Sequence, residues 1–254
     1  MLGCKRVSLL HTRKCLSQLG SSFYRCQQKS TIPDSLKAMV YATKKNPTTF
    51  ATPPPPLSPL SSQSITPLSA SEFRSKHDIS ISGDLNDNTF EPLVDFISTP
   101  FVEPLKRALL REGYTSPTPI QAQSWPILLN GRDLISVART GSGKTCGFLL
   151  PAFQKILSNV KVGPYSRNPK ILVLAPTREL SVQINEVASS FSRSLGFRNV
   201  CLYGGAMRGP QINMLKSGVD IVVGTPGRVF DLLSEGCFRV KDIQYVVFDE
   251  ADRM

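Results

Sequence analysis

Metal-ligand cysteine pairs are missing from this sequence. Six cysteines stand at 4, 15, 26, 146, 201 and 237, with no Cys-x-x-Cys arrangement, and only His11 and His77 supply imidazoles. That usage excludes a zinc cluster and a disulfide framework, and leaves reduced thiols in an intracellular protein as the expectation. Long apolar runs are missing too. Even the longest, such as "ILVLA" at 171–175, falls far short of the ~18 residues that span a bilayer, so no membrane role is expected. Acids are scarce in the first 76 residues, where Asp34 and Glu72 stand against 11 Lys and Arg, a balance of +9. Residues 77–254 balance at only +2, although the whole chain carries +11. The net charge points to a polyanionic partner. Because most of it sits in the N-terminal arm, nucleic-acid binding by the rest must be argued from particular residues.

Three zones follow one another. Residues 1–33 hold six Lys or Arg, several Ser and no acid, and Leu2, Leu9, Leu16 and Phe23 recur every seven residues. A helix would place these four on one face. Basic, acid-free and roughly amphipathic is the composition of a transit peptide. Mitochondrial import is the expectation, with chloroplast, nucleus or cytoplasm as alternatives. Residues 34–77 contain the Pro-, Ser- and Thr-rich stretch "NPTTFATPPPPLSPLSSQSITPLSAS" and read as a disordered linker. From 78 to 254 short apolar runs alternate with helical periodicity. The strand candidates are "DLISVA" (133–138), "KILVLA" (170–175), "NVCLYG" (199–204), "DIVVGT" (220–225) and "IQYVVFD" (243–249). Near-continuous Val, Ile and Leu mark strands buried on both faces. Their alternation with helices predicts an α/β domain around a mostly parallel sheet.

The chemistry begins where the first strand candidate ends. "ARTGSGKT" comprises Ala138, Arg139, Thr140, Gly141, Ser142, Gly143, Lys144 and Thr145. Small residues let the chain wrap a phosphate, and backbone N–H groups with the following helix N-terminus present positive charge to it. Lys144 adds a point charge toward the outer phosphates, and Thr145 offers a hydroxyl to Mg²⁺. The closing "VVFDEADRM" puts Asp249 at another strand end. In an open α/β sheet ligands gather at the carboxyl ends of strands. Asp249 there can hold Mg²⁺ through water, and Glu250 beside it can take a proton from an attacking water.

"ARTGSGKT" together with "DEAD" resembles the DEAD-box family of ATP-dependent RNA helicases, and the likeness covers about 165 of the 254 residues. "GYTSPTPIQ" (113–121) looks like the family's Q motif, which spans about 94–122, and Phe96 stands seventeen residues before Gly113. The resemblance implies a RecA-like P-loop NTPase domain, its mostly parallel sheet sandwiched by helices and incomplete at its C-terminus, behind a disordered N-terminal arm. It implies ATP and Mg²⁺ as cofactors. Gln121 would read the adenine edge, which an amide can bond bidentately, and Phe96 would pack near the base. Pro176, Thr177 and Arg178, then Gly204 and Gly205, then Thr225, Pro226, Gly227 and Arg228 match segments that grip the RNA sugar–phosphate backbone. None would read base edges, so binding would be independent of sequence. RNA, and proteins of a ribonucleoprotein, are the implied partners of a monomer.

The family also carries a Ser-Ala-Thr segment and a second domain with γ-phosphate-contacting arginines, which this sequence does not contain. Losing such an arginine costs ~10³–10⁵ in rate. By resemblance the Ser-Ala-Thr strand lies between the phosphate-loop strand and the acidic strand. The expectation is therefore a fragment with a central strand missing, unpaired backbone beside the gap and little ATPase activity. For the intact protein two readings stay open: an ATP-driven RNA remodeller, or an ATP-gated clamp that seldom turns over. A DNA-directed or other P-loop ATPase stands third, disfavoured by the Q motif and the acidic box.

Overall fold

The computed structural model describes residues 5–11 (as backbone), 69–83, 90–158 and 168–254. The transit peptide read over 1–33 and the linker read over 34–77 lie, apart from 5–11 and 69–77, outside the described residues. Every strand predicted from the apolar runs is present: β2 (Leu134–Ala138), β3 (Ile171–Leu174), β4 (Asn199–Leu202), β5 (Ile221–Gly224) and β6 (Tyr245–Asp249). One more strand, β1 (Lys5–His11), comes from the N-terminal segment. The sheet order is β2-β1-β6-β3-β5-β4. β3 pairs in parallel with β5 and β6, and β4 with β5. β1 runs antiparallel to both neighbours, so β2 and β6 share one direction. All five predicted strands therefore end on the same rim.

The position of β1 corrects two expectations. The gap foreseen between the phosphate-loop strand and the acidic strand is filled, with Lys5 opposite Ala138 on one side and Val7 opposite Asp249 on the other. Residues 5–11 are also strand rather than part of an amphipathic helix. The physical reason is that two interior strands with unpaired N–H and C=O groups are costly unless a third strand lies between them. "KRVSLLH" contains no Gly or Pro to oppose extension.

Seven helices are described: α1 (Ala70–Lys76), α2 (Glu103–Arg111), α3 (Pro119–Leu129), α4 (Lys144–Ser158), α5 (Arg178–Leu195), α6 (Arg208–Lys216) and α7 (Pro226–Ser234). α1 lies within the stretch read as linker. Its Ser69–Glu72 capping box holds the first turn, Phe73 is buried, and Arg74 donates to the Phe90 carbonyl at 2.9 Å. Ordered structure therefore starts before residue 78. α5 is delimited by Thr177, whose hydroxyl accepts from Leu180 N at 3.2 Å, and by Gly196 in the left-handed region with φ 74°.

Strand residues alternate between two cores. Ile171, Val173, Ile221, Val223 and Val247 pack on one face with Leu105, Trp125, Phe148, Phe153, Ile184 and Phe191 from α2, α3, α4 and α5. Leu172, Leu174, Val200, Val222 and Val246 pack on the other with Leu215, Val229 and Leu232 from α6 and α7. Helices thus cover both faces, as predicted, and leave the strand-end rim as the place where loops gather. Among the described residues no helix is long and apolar enough to cross a membrane.

Candidate nucleotide site and nucleic-acid interface

Two walls of the site come from the carboxyl ends of β2 and β6. Ala138 ends β2 and opens the loop that runs to Lys144, the first residue of α4. Asp249 ends β6. With one strand between them, and neighbouring strands ~4.8 Å apart, the loop and the acid lie about 10 Å apart on a single rim. This is the convergence the sequence reading requires.

Gly141 (φ 79°) and Gly143 (φ 91°) hold backbone conformations that side chains resist. A Cβ on Gly143 would sit 2.6 Å from Gln121 Nε2 and 2.8 Å from Thr118 Oγ1, so only glycine leaves this cradle open. Lys144 Nζ donates to the carbonyls of Ala138 at 2.6 Å and Arg139 at 3.1 Å, closing the loop across its own mouth. Ser142 Oγ and Thr118 Oγ1 are buried with no hydrogen-bond partner among the described residues. Hydroxyls left so beside positive-φ glycines and a helix N-terminus fit a polyphosphate. The fit to Mg²⁺ rests on the donor set, the Thr145 hydroxyl with the Asp249 carboxylate, oxygen ligands of the kind this ion takes.

Gln121 is only 2% exposed, which excludes a helix-surface role. It joins two segments: its Oε1 accepts from Thr118 N at 3.1 Å, and its Nε2 donates to the Gly143 carbonyl at 2.9 Å. Tyr114, from the same segment, reaches the first turn of α4, with its Oη 3.1 Å from Cys146 Sγ. Burial, with the thiol's contact second, pushes the Tyr114 phenol up. Burial likewise raises the Cys146 thiol. Phe96, expected beside the base, is packed in the core 6.0 Å from the Trp125 ring.

Asp249 and Glu250 are both buried, at 5% and 4% exposure. Glu250 adopts φ 53°, ψ 46°, a left-handed conformation unusual for a side-chain-bearing residue. Arg253 Nη1 donates to its Oε2 at 2.7 Å. Arg253 belongs to none of the motifs legible in the sequence. Its spacing of three residues from an acid was the available signal.

The three candidate RNA segments follow β3, β4 and β5 and are linked to one another by two side-chain contacts. Arg178 begins α5, and its guanidinium lies 4.6 Å above the centre of the Tyr203 ring. Tyr203 leads into Gly204 and Gly205, and Gln211 Nε2 donates to its carbonyl at 3.2 Å. Arg228, in α7, donates to the Ala206 carbonyl from Nη1 at 3.3 Å and Nη2 at 3.4 Å. Thr225 caps α7 through its backbone, with Pro226 at the first helical position and Gly227 exposed. Pro176 and Thr177 stand where β3 turns into α5.

A family model described as DEAD/DEAH box helicase matches residues 118–254, more than half of the sequence. The chain belongs to that family. It is 47% identical over 197 residues to "DEAD-box ATP-dependent RNA helicase 14" of Arabidopsis thaliana, covering 76% of this chain and 30% of that protein. It is 51% identical over 144 residues to "DEAD-box ATP-dependent RNA helicase 5" of the same plant, covering 56% and 27%. It is 43% identical over 183 residues to "ATP-dependent RNA helicase DBP2" of Candida albicans, covering 72% and 32%. The chain spans less than a third of each of these relatives.

Proposed function

We propose that the full-length protein is an ATP-dependent RNA helicase that grips one RNA strand by its backbone and couples ATP hydrolysis to remodelling of a duplex or ribonucleoprotein. The observation that carries this is the shared rim. The phosphate loop leaves β2, the acid ends β6, and the candidate RNA segments leave β3, β4 and β5 in the same direction. Gln121 reads the adenine edge by exchanging its bonds to Thr118 N and the Gly143 carbonyl for the base, with Phe96 contributing through its packing on Trp125 in the core. Ala138 to Thr145 cradle the phosphates, and Lys144 exchanges its two carbonyl partners for phosphate oxygens. Thr145 and Asp249 would hold Mg²⁺, which supplies charge neutralisation on the phosphates when bound. Glu250 accepts a proton from the attacking water once Arg253 shifts away from Oε2. One chain supplies all of these residues, consistent with a monomer.

Lys144→Ala in the full-length protein tests the assignment by strand displacement on RNA and on DNA duplexes. Loss of ATP-dependent RNA unwinding is expected, and unchanged unwinding would sink it. Displacement of DNA duplexes in preference to RNA would favour a DNA-directed motor. Glu250→Gln should accumulate an ATP-bound, RNA-bound state on filters.

The same reading proposes mitochondrial import, supported by six basic residues and no acid in positions 1–33. Residues 1–45 fused to a fluorescent protein should direct it to mitochondria. A diffuse signal would defeat that part alone.

A further inference from the structure

We infer that Tyr203 is a positioning residue for RNA binding: its ring holds the Arg178 guanidinium over the rim, where the RNA backbone is to be gripped. This rests on the RNA-binding reading and names a residue that reading does not contain.

Arg178 occupies an unfavourable place for a cation. It is the first residue of α5, where the helix dipole is positive and cations are repelled. Among the described residues no carboxylate pairs with it. The ring of Tyr203, 4.6 Å below, offers the compensation. A π-face attracts a guanidinium and leaves its N–H edges free to bond phosphate oxygens, which a carboxylate partner would occupy.

The backbone of Tyr203 is itself held. Its carbonyl accepts from Gln211, and the residue is half-buried at the end of β4. β4 and β3 are not neighbours, because β5 lies between them. The Arg178–Tyr203 contact therefore bridges two loops across the Thr225 loop, which is tied to the second of them through Arg228 and Ala206. Three separate strand ends become one surface, which suits a ligand that runs across all of them, as a single strand's phosphates do.

The test is anisotropy of fluorescein-labelled decauridine with the full-length protein, over a salt series, for Arg178→Ala, Tyr203→Leu, Tyr203→Phe and the Arg178→Ala/Tyr203→Leu double variant. Arg178→Ala should weaken binding and lower the salt slope by about 0.7, one phosphate on a single strand. Tyr203→Leu should weaken binding about twofold to fivefold, Tyr203→Phe should match wild type, and the double variant should bind no worse than Arg178→Ala alone. Tyr203→Phe keeps a ring, so it reports on the contact even where Tyr203→Leu lowers the melting temperature. A wild-type affinity for Tyr203→Leu beside a weakened Arg178→Ala overturns the positioning role and spares the RNA reading. Additive losses in the double variant overturn it equally. Wild-type binding by Arg178→Ala itself removes this segment from the RNA interface.

Discussion

The Gln121 amide nitrogen lies 2.9 Å from the Gly143 carbonyl and donates to it. The same carbonyl accepts from Gly147 N, the first bond of α4. The segment expected to read adenine and the loop expected to hold phosphates are thus mechanically joined before any nucleotide arrives. A displacement of one moves the other.

Gly143→Ala should break that joint. The added Cβ would meet Gln121 Nε2 and Thr118 Oγ1, at 2.6 and 2.8 Å, on a backbone with φ 91°. Strain of this kind costs ~1–3 kcal/mol, which corresponds to a loss of about fivefold to 150-fold in nucleotide affinity if it falls on the loop. Titration with a fluorescent ATP analogue measures it. Wild-type affinity would show that the loop rearranges freely of Gln121.

Lys170 and Asp220 form a pair buried at the opposite end of the sheet, 3.6 Å apart and 1% and 0% exposed. Asp220 Oδ2 also accepts from Arg198 N, and its backbone carbonyl accepts from Lys170 N. Removing one buried charge strands the other, at a cost of ~3–5 kcal/mol. Lys170→Met should therefore lower the urea midpoint strongly, and Lys170→Met/Asp220→Asn should recover much of it. A double variant as unstable as the single would mean that packing, not charge, sets the loss.

Tyr245 sets an alkaline limit. Burial, then the Asp133 charge, raises its phenol, and its Oη has no hydrogen-bond partner among the described residues. Burial also lifts the Cys201 thiol to about 11. A raised folded value means the unfolded chain releases its proton first. The Tyr245 contribution is then intact below the unfolded phenol value of ~10 and falls as pH rises above it, while the Cys201 contribution already falls above the unfolded thiol value of ~8.5. Each fully buried group contributes a slope of up to ~1.4 kcal/mol per pH unit. Denaturation curves at pH 9, 10 and 11 should show Tyr245→Phe losing less stability than wild type, and parallel losses would contradict the assignment.

The strands and the phosphate loop were legible because their signals are local. Runs such as "ILVL" announce strands buried on both faces, and a Gly-rich turn between strand and helix announces a phosphate cradle. What stayed hidden depends on tertiary placement. Arg74 looks like a linker residue until Phe90 and Gln123 are beside it, and Phe73 until its burial is seen. Tyr203 looks like a strand end until α5 brings Arg178 over its ring. Phe96 was assigned by resemblance to the base, while its near-complete burial reflects Trp125. β1 was the least legible. Nothing in "KRVSLLH" names a partner, and the pairing was decided by the vacancy between two other strands.

That vacancy makes the last prediction the most consequential for the site. β2 has one neighbour in the sheet, and it is β1. Deleting residues 1–12 removes five register pairs to β2 and five to β6, leaving the phosphate-loop strand without a strand partner and β6 with an open edge. The 254-residue chain so shortened should aggregate or melt early, and should lose nucleotide affinity along with the alignment of Ala138 and Asp249. A cross-link separates strand pairing from a general effect of truncation. Ser8 faces Ile135 in the antiparallel register, and Ile135 is exposed. With Cys4, Cys15 and Cys26 changed to serine, Ser8→Cys/Ile135→Cys should oxidise to an internal disulfide that shifts gel mobility. A longer chain carrying the family's Ser-Ala-Thr strand brings a competitor for the same slot, and there the cross-link should weaken as residues 5–11 are displaced. If no cross-link forms in the 254-residue chain, β1 does not hold that slot, and the register between phosphate loop and acid must be maintained by the packing of α3 on β2 and of α4 on β6.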